Sequence, residues 1–180
     1  MTKKGLTVLE VMVVVAIALV LTLILFPVLS AAKKSAQVAS STVRLRQIST
    51  AISLYRDEWG SNAYGFPSDM GLPEYRQFVV NRFGLSEEAF MSPCSGRSDA
   101  KTAGEYAYDY IYLPSGGEWA AYTLLRGESA YVMADLHCGN QPFVFSPYKR
   151  VFVLALNLGG SVNRITRYGD PTKLRWWIDL

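Results

Sequence analysis

The feature that most constrains this chain is an unbroken apolar run near its N-terminus, from Leu6 to Phe26. Val, Leu, Ile and Ala fill most of the run, and Glu10 is its only charged side chain. At about 1.5 Å per residue a helix of this length covers the roughly 30 Å hydrocarbon core of a bilayer. Lysine pairs flank the run on both sides. These features predict a membrane-spanning helix rather than a helix buried in a soluble core.

Glu10 makes this segment unusual, because a carboxylate inside hydrocarbon costs at least about 2.5 kcal/mol. Cleavage of the chain between Gly5 and Leu6 would create a positively charged amine one helical turn from Glu10. Neighbouring copies would carry the same amine. Glu10 is therefore interpreted as the partner of an amine within an assembly.

The sequence from Gly5 to Glu10, preceded by Lys3 and Lys4, resembles the processing site of type IV prepilins and pseudopilins. The resemblance implies that a prepilin peptidase removes residues 1–5 after Gly5. It further implies that Leu6, which stands where phenylalanine is commoner, becomes the methylated N-terminus. Glu10 would then be the carboxylate that guides assembly.

The same resemblance implies a leader peptide at residues 1–5, a transmembrane or filament-core helix at 6–29 and an extracytoplasmic globular domain at 30–180. The protein would be a single-pass membrane protein whose assembled form lies in the periplasm or at the cell surface. A secretory signal peptide is the alternative, since Ser30 and Ala32 form a small-x-small cleavage site. The length of the apolar run and the presence of Glu10 argue against it.

Pro27 stands where many pilins carry a proline that kinks the helix, although it equally well marks the end of the apolar run. Beyond it, large apolar residues recur at helical spacing. These are Val38, Leu45, Ile48, Ile52, Tyr55 and Trp59. The pattern predicts one helix from Leu6 to about Trp59, stopped by Gly60 and packed along a single face. The sequence from Tyr55 to Ser68 loosely resembles the corresponding region of major pseudopilins, but it lacks their acidic calcium-binding loop, so no metal site is transferred.

In the rest of the sequence, the spacing of apolar residues predicts short helices at Tyr75–Phe83 and at Glu87–Phe90, the latter capped by Ser86. A tyrosine-rich strand is expected at Tyr106–Leu113. Stronger strand patterns are found at Ala130–Leu136, Val151–Asn157 and Ser161–Thr166, the last two joined by a Leu158-Gly159-Gly160 hairpin turn. The predicted fold class is therefore α+β and pilin-like, with the long N-terminal helix packed on an antiparallel sheet.

The pattern that runs from His137 through a strand to Gly159-Gly160 resembles, in part, the C-terminal half of bacterial prepilin-like proteins. Those proteins have an Asp-Gly turn where this chain has Asn157 to Gly160. Any role of their aspartate is therefore not transferred.

Cys94 and Cys138 are the only cysteines, an even number that favours a disulfide in an exported domain, with two buried thiols as the alternative. A metal site at Asp135, His137 and Cys138 is not expected. Alternate strand residues share a face, so Asp135 and His137 would converge while Cys138 points away. We interpret them as a polar pair at a strand end. The sequence contains no nucleophile-elbow, phosphate-loop or Cys-x-x-Cys motif, so we predict neither an enzyme nor a cofactor.

A net charge of +3 is too small to indicate a nucleic-acid partner. The tail from Lys173 to Trp177 combines basic and aromatic residues, which suits either a contact surface for a nucleic-acid strand or another subunit, or docking on its own domain. The predicted function is a structural subunit of a type IV pilus-like or type II secretion pseudopilus-like filament. Expected partners are prepilin peptidase, homotypic or heterotypic pilin subunits, the inner-membrane assembly machinery and membrane lipid. The alternative is a membrane-anchored extracytoplasmic binding module that does not polymerise.

Overall fold

The computed structural model describes residues 8–59, 64–72, 84–95, 110–114, 116–139 and 148–178. It divides into two compact units, Met1–Ala36 and Gln37–Leu180. One helix, α1, runs from Val8 to Trp59 and continues through Pro27. Its observed end confirms the predicted one.

The apolar stripe of α1 is buried in the second unit, as its spacing predicted. Val38, Leu45, Ile48 and Ile52 are each at most 8% exposed, and Tyr55 is half-buried. The outer face of the same stretch exposes polar and basic side chains, among them Arg46, Gln47, Thr50 and Ser53. At about 25 cal/mol per Å² of apolar area, four such side chains are a major part of what holds this stretch of α1 against the domain.

The predicted α+β class is confirmed by a four-stranded antiparallel sheet in the order β1-β2-β3-β4. The strands are β1, Tyr110–Tyr112; β2, Tyr131–Asp135; β3, Arg150–Asn157; and β4, Val162–Tyr168. Each agrees with a predicted strand to within about two residues over the described part of the chain. β3 and β4 pair along their length, with Leu154 opposite Arg164 and Val151 opposite Arg167.

Gly160 makes the predicted β3–β4 turn possible. Its φ is +83°, a conformation that favours glycine, and a Cβ built there would lie 2.8 Å from the Oγ of Ser49 on α1. A side chain at this position would therefore be strained and would also push the turn away from the helix.

Two helices were not predicted. The first, α2, spans Gly116–Arg126 and buries Trp119 and Tyr122. The second, α3, is a single turn at Arg175–Ile178. Between Ser86 and Met91 the expected helix is present as a 3₁₀ turn, in which the Ser86 side chain makes no capping hydrogen bond. The predicted helix at Tyr75–Phe83 lies outside the described residues.

The two faces of the sheet have different covers. Asp135 on β2 lies opposite Leu154 on β3, which in turn lies opposite Arg164 on β4, so these three residues share one face of the sheet. Asp135 accepts a hydrogen bond from Ser41 of α1, so α1 covers this face. Arg167 lies on the other face, because side chains alternate along β3 and β4. Its guanidinium lies 5.7 Å from the Trp176 ring, which places α3 on the face opposite α1.

Candidate functional site

The N-terminal part of α1 exposes its apolar side chains. From Val8 to Leu29 its large hydrophobic residues are 49% to 78% exposed. By length and composition this helix can cross a membrane, and no residue of its most apolar 18-residue stretch is buried in the structure. The core helix of a soluble protein would be mostly buried, so this explanation does not fit the segment. A signal sequence has the same length and composition, so it remains compatible with them. Exposure of so large an apolar surface to water is unfavourable.

Glu10 lies in the first turn of α1 and is exposed. Gly5 and Leu6, the predicted cleavage and methylation residues, lie outside the described residues. Thr22, a polar residue in the same apolar segment, donates its hydroxyl hydrogen to the Ala18 carbonyl at 2.8 Å. Thr22 is therefore satisfied within its own helix, as is common for threonine in membrane helices. Between Val8 and Phe26 the segment thus contains one charged group, Glu10, and one hydroxyl group, which is bonded within the helix.

A second cluster of polar groups surrounds Asp135 at the end of β2, inside the globular unit. Asp135 is fully buried. Its Oδ2 accepts hydrogen bonds from the hydroxyls of Ser41 on α1 and of Ser92, the latter at 2.7 Å. Its Oδ1 accepts the backbone N–H of His137 at 2.9 Å. One carboxylate therefore joins the helix, the sheet and the segment that leads to Cys94.

Cys94 and Cys138 form the predicted disulfide. The Cys138 Sγ lies 3.2 Å from Asp135 Oδ2, so the expectation that Cys138 points away from Asp135 is wrong. The strand ends at Asp135 and the chain turns into a 3₁₀ helix, His137–Gly139, so strand alternation no longer applies. Sulfur in a disulfide has no thiol hydrogen to donate, so this contact is one of packing.

The sulfur atoms of this disulfide and the Asp135 carboxylate also lie close enough together to suggest a metal site. Cysteine, however, binds metals as its thiolate, and both sulfurs here are bonded to each other. The group would bind a metal only after reduction. In its oxidised form the cluster has a structural role, since its hydrogen bonds join α1, the end of β2 and the segment before Cys94 at one buried position.

Burial raises the pKa of the Asp135 carboxyl above its usual value, and the hydrogen bonds from Ser41, Ser92 and the His137 N–H oppose that rise. The folded state therefore retains the proton to higher pH than the unfolded chain does. Between the two pKa values the folded protein binds more protons, so its unfolding free energy falls as the pH rises.

We expect Asp135→Asn to remove this contribution. Asparagine keeps the volume and one acceptor oxygen, which can still accept the His137 N–H, and its NH2 group can donate to the Ser41 and Ser92 hydroxyls. It has no carboxyl proton to lose. Urea unfolding of the detergent-solubilised chain, measured from about pH 4 upward, should show a shallower decline in stability for the variant than for wild type. Ser53→Ala, an exposed change on α1 that alters no ionisable group, serves as the control and should keep the wild-type slope. Identical slopes in wild type and Asp135→Asn would contradict the assignment.

The tryptophans of the C-terminal tail are not available to a partner. Trp176 is 7% exposed and Trp177 is fully buried. The Trp177 indole donates to the Pro171 carbonyl at 2.9 Å, and its ring contacts that of Tyr131. The tail is therefore docked on its own domain, which was the alternative to a contact surface.

Sequence reasoning found Asp135 and both cysteines but missed Ser41 and Ser92. A serine in a helix and one before a proline carry no local sign of such a role. Ser41 and Asp135 are 94 residues apart in the chain, and only tertiary packing brings them together.

Comparisons of this chain with protein-family models, with curated proteins and with solved structures found no match.

Proposed function

We propose that this protein is a structural subunit of a filament of the type IV pilus or type II secretion pseudopilus kind, matured by prepilin peptidase. The main support is one combination of features. The exposed apolar segment at the start of α1 carries a single carboxylate, Glu10, five residues after Gly5, and the C-terminal unit of the chain has its own core. We also propose that the fold is pilin-like.

The physical basis of the proposal is the cost of leaving that helix exposed. In the membrane, lipid covers the apolar residues of α1. On assembly, the helices of other copies replace the lipid, and the mature amine of one subunit neutralises the Glu10 carboxylate of another. Prepilin peptidase, other pilin subunits and the inner-membrane assembly machinery are the partners that this model requires. The proposal places the globular unit outside the cytoplasm, in an oxidising compartment where its disulfide persists.

A membrane-anchored binding module that does not polymerise is the second candidate. A groove beside α1, lined in part by Thr50, Leu54, Glu58 and Leu85, is the feature that favours it. A tether, however, gains nothing from a carboxylate in its apolar segment. Shearing the cells and sedimenting the released material distinguishes the candidates, since only a filament subunit is recovered as a polymer.

The first requirement of the proposal is correct processing. We expect the mature protein to begin at Leu6 and to carry one methyl group on its amine. Intact-mass and N-terminal peptide measurements on protein extracted from membranes test this directly. Gly5→Val, which alters the recognition residue, should leave the leader attached. A mature N-terminus at Lys33 would instead establish a secretory signal peptide and overturn the proposal.

A further inference from the structure

Three carboxylates lie at the turn end of the β3–β4 hairpin, where Arg56 and Arg164 are the basic neighbours, and basic side chains predominate at the other end. At the turn end, three carboxylates form what we call the acidic end: Asp57, Glu58 and Glu128. The Gly159 N–H donates to the Glu128 backbone carbonyl at 2.9 Å, and Arg56 pairs with the Glu128 carboxylate at 3.3 Å. These contacts place the last turn of α1 beside the hairpin turn. The carbonyl end of the α1 dipole adds further negative potential there.

The other end of the hairpin is basic. Lys149, Arg150 and Lys173 form what we call the basic end. The Gly169 N–H donates to the Lys149 carbonyl, and the turn that contains Lys173 follows directly. No acidic residue occurs from Leu136 to Gly169. Asp170, in the turn that precedes Lys173, accepts hydrogen bonds from the Thr172 N–H and hydroxyl.

The two ends are too far apart to neutralise each other within one molecule. β3 has 8 residues, and at about 3.3 Å per residue the ends are separated by roughly 23 Å. The Debye length at physiological ionic strength is about 8 Å, so attraction across this distance is largely screened. Strong attraction between the two ends therefore requires that they come into contact, as they can when the ends of two molecules meet.

We infer that the basic end of one subunit docks on the acidic end of the next. This inference rests on the proposed function and names the contact between globular units that it would require. A contact between two different surfaces of the same chain is heterologous, and unless its rotation closes a ring it extends indefinitely into a helical filament. A two-fold symmetric dimer through either end would instead place like charges together.

The partner is therefore a second copy of this chain, selected by charge complementarity. Lys149 and Lys173 are exposed, as are Asp57 and Glu58. A carbodiimide activates a carboxylate as an O-acylisourea, and a lysine amine in contact with it, once deprotonated, attacks the acyl carbon. An amide bond forms directly between the two side chains, and the former carboxylate oxygen leaves as part of a urea. This reaction joins only groups that touch, so it reports the contact itself.

The test treats sheared filaments, assembled from a mixture of isotopically light and heavy subunits, with carbodiimide. We expect peptides containing Lys149 or Lys173 to be joined to the peptide containing Asp57 and Glu58, with both mixed-isotope pairings present. Filaments that form but yield no such intermolecular product would overturn this inference and leave the proposed function intact. Absence of filaments from the wild-type protein would count against the proposed function instead.

Charge reversal gives an independent test in the full chain. Lys149→Glu with Lys173→Glu, or Asp57→Lys with Glu58→Lys, should each reduce filament yield about tenfold, because like charges then meet. Combining all four changes restores complementarity at the wild-type net charge of +3 and should recover the yield to within about twofold. Arg46→Glu, an exposed reversal on the outer face of α1, should have no such effect.

Failure of the combined variant to recover while its disulfide and leader processing remain intact would overturn the inference. It would direct attention to a different anionic partner for the basic end, such as nucleic acid.

Discussion

Replacing Glu10 with alanine is expected to leave the protein processed and inserted in the membrane but excluded from filaments. The residues around the Gly5–Leu6 bond are unchanged, so the leader should still be removed. Insertion should be unchanged or improved, because a charged group has been taken out of the apolar segment. Removing one member of an enclosed ion pair costs about 3 to 5 kcal/mol, which corresponds to a hundredfold or greater fall in subunit association.

The measurement for this prediction is the ratio of sheared filament to membrane-bound subunit. Glu10→Gln keeps the side-chain volume and part of the hydrogen bonding but loses the charge, so its ratio should fall between those of wild type and alanine. Thr22→Ala is the matched control. It also removes a polar group from the apolar segment, but one whose hydrogen bond is made within the helix. An unchanged ratio in Glu10→Ala would mean that the carboxylate has no role in assembly.

Loss of the Cys94–Cys138 disulfide is expected to give the largest change in stability. The bond joins residues 44 positions apart. In the loop-entropy model, a cross-link of that span stabilises the folded state by about 4 kcal/mol. Typical domain stabilities are about 5 to 15 kcal/mol, so the double variant Cys94→Ala, Cys138→Ala should unfold at a much lower urea concentration. Such a variant would be marginal at growth temperature.

Reduction of the wild-type protein provides the control, since it breaks the same bond without changing any side-chain volume except for two hydrogens. Reduced wild type and the double variant should have similar unfolding midpoints. Alkylation without prior reduction should label neither cysteine in protein from the native compartment. Labelling of both, or an unfolding midpoint unaffected by reductant, would contradict the prediction.

Periodic sequence patterns accounted for the largest elements of the fold. The stripe from Val38 to Ile52 predicted which face of α1 is buried, because apolar residues at helical spacing all lie on one face of the helix. β-branched and aliphatic runs with Gly159-Gly160 between them predicted β3, β4 and their turn. These are local signals, and each element satisfies its backbone hydrogen bonds with near neighbours.

The helix α2 escaped prediction because its start, Gly116-Gly117, is typical of a loop. Trp119, Ala120, Tyr122 and Thr123 are buried on one face of it, and Glu118 and Arg126 suit its dipole. That spacing was the signal that could have identified it. The strength of the packing around Trp119 outweighs the low helix propensity of two glycines.

The sequence by itself determined the apolar segment, its solitary carboxylate Glu10 and the resemblance of the residues before it to a processing site. All of these are contained in one contiguous stretch, where composition and spacing are sufficient. Only the tertiary structure decided the surroundings of Asp135 and the distribution of charge between the two ends of the β3–β4 hairpin. Those features depend on contacts between residues far apart in the chain, and their physical origin is the packing of α1 on the sheet.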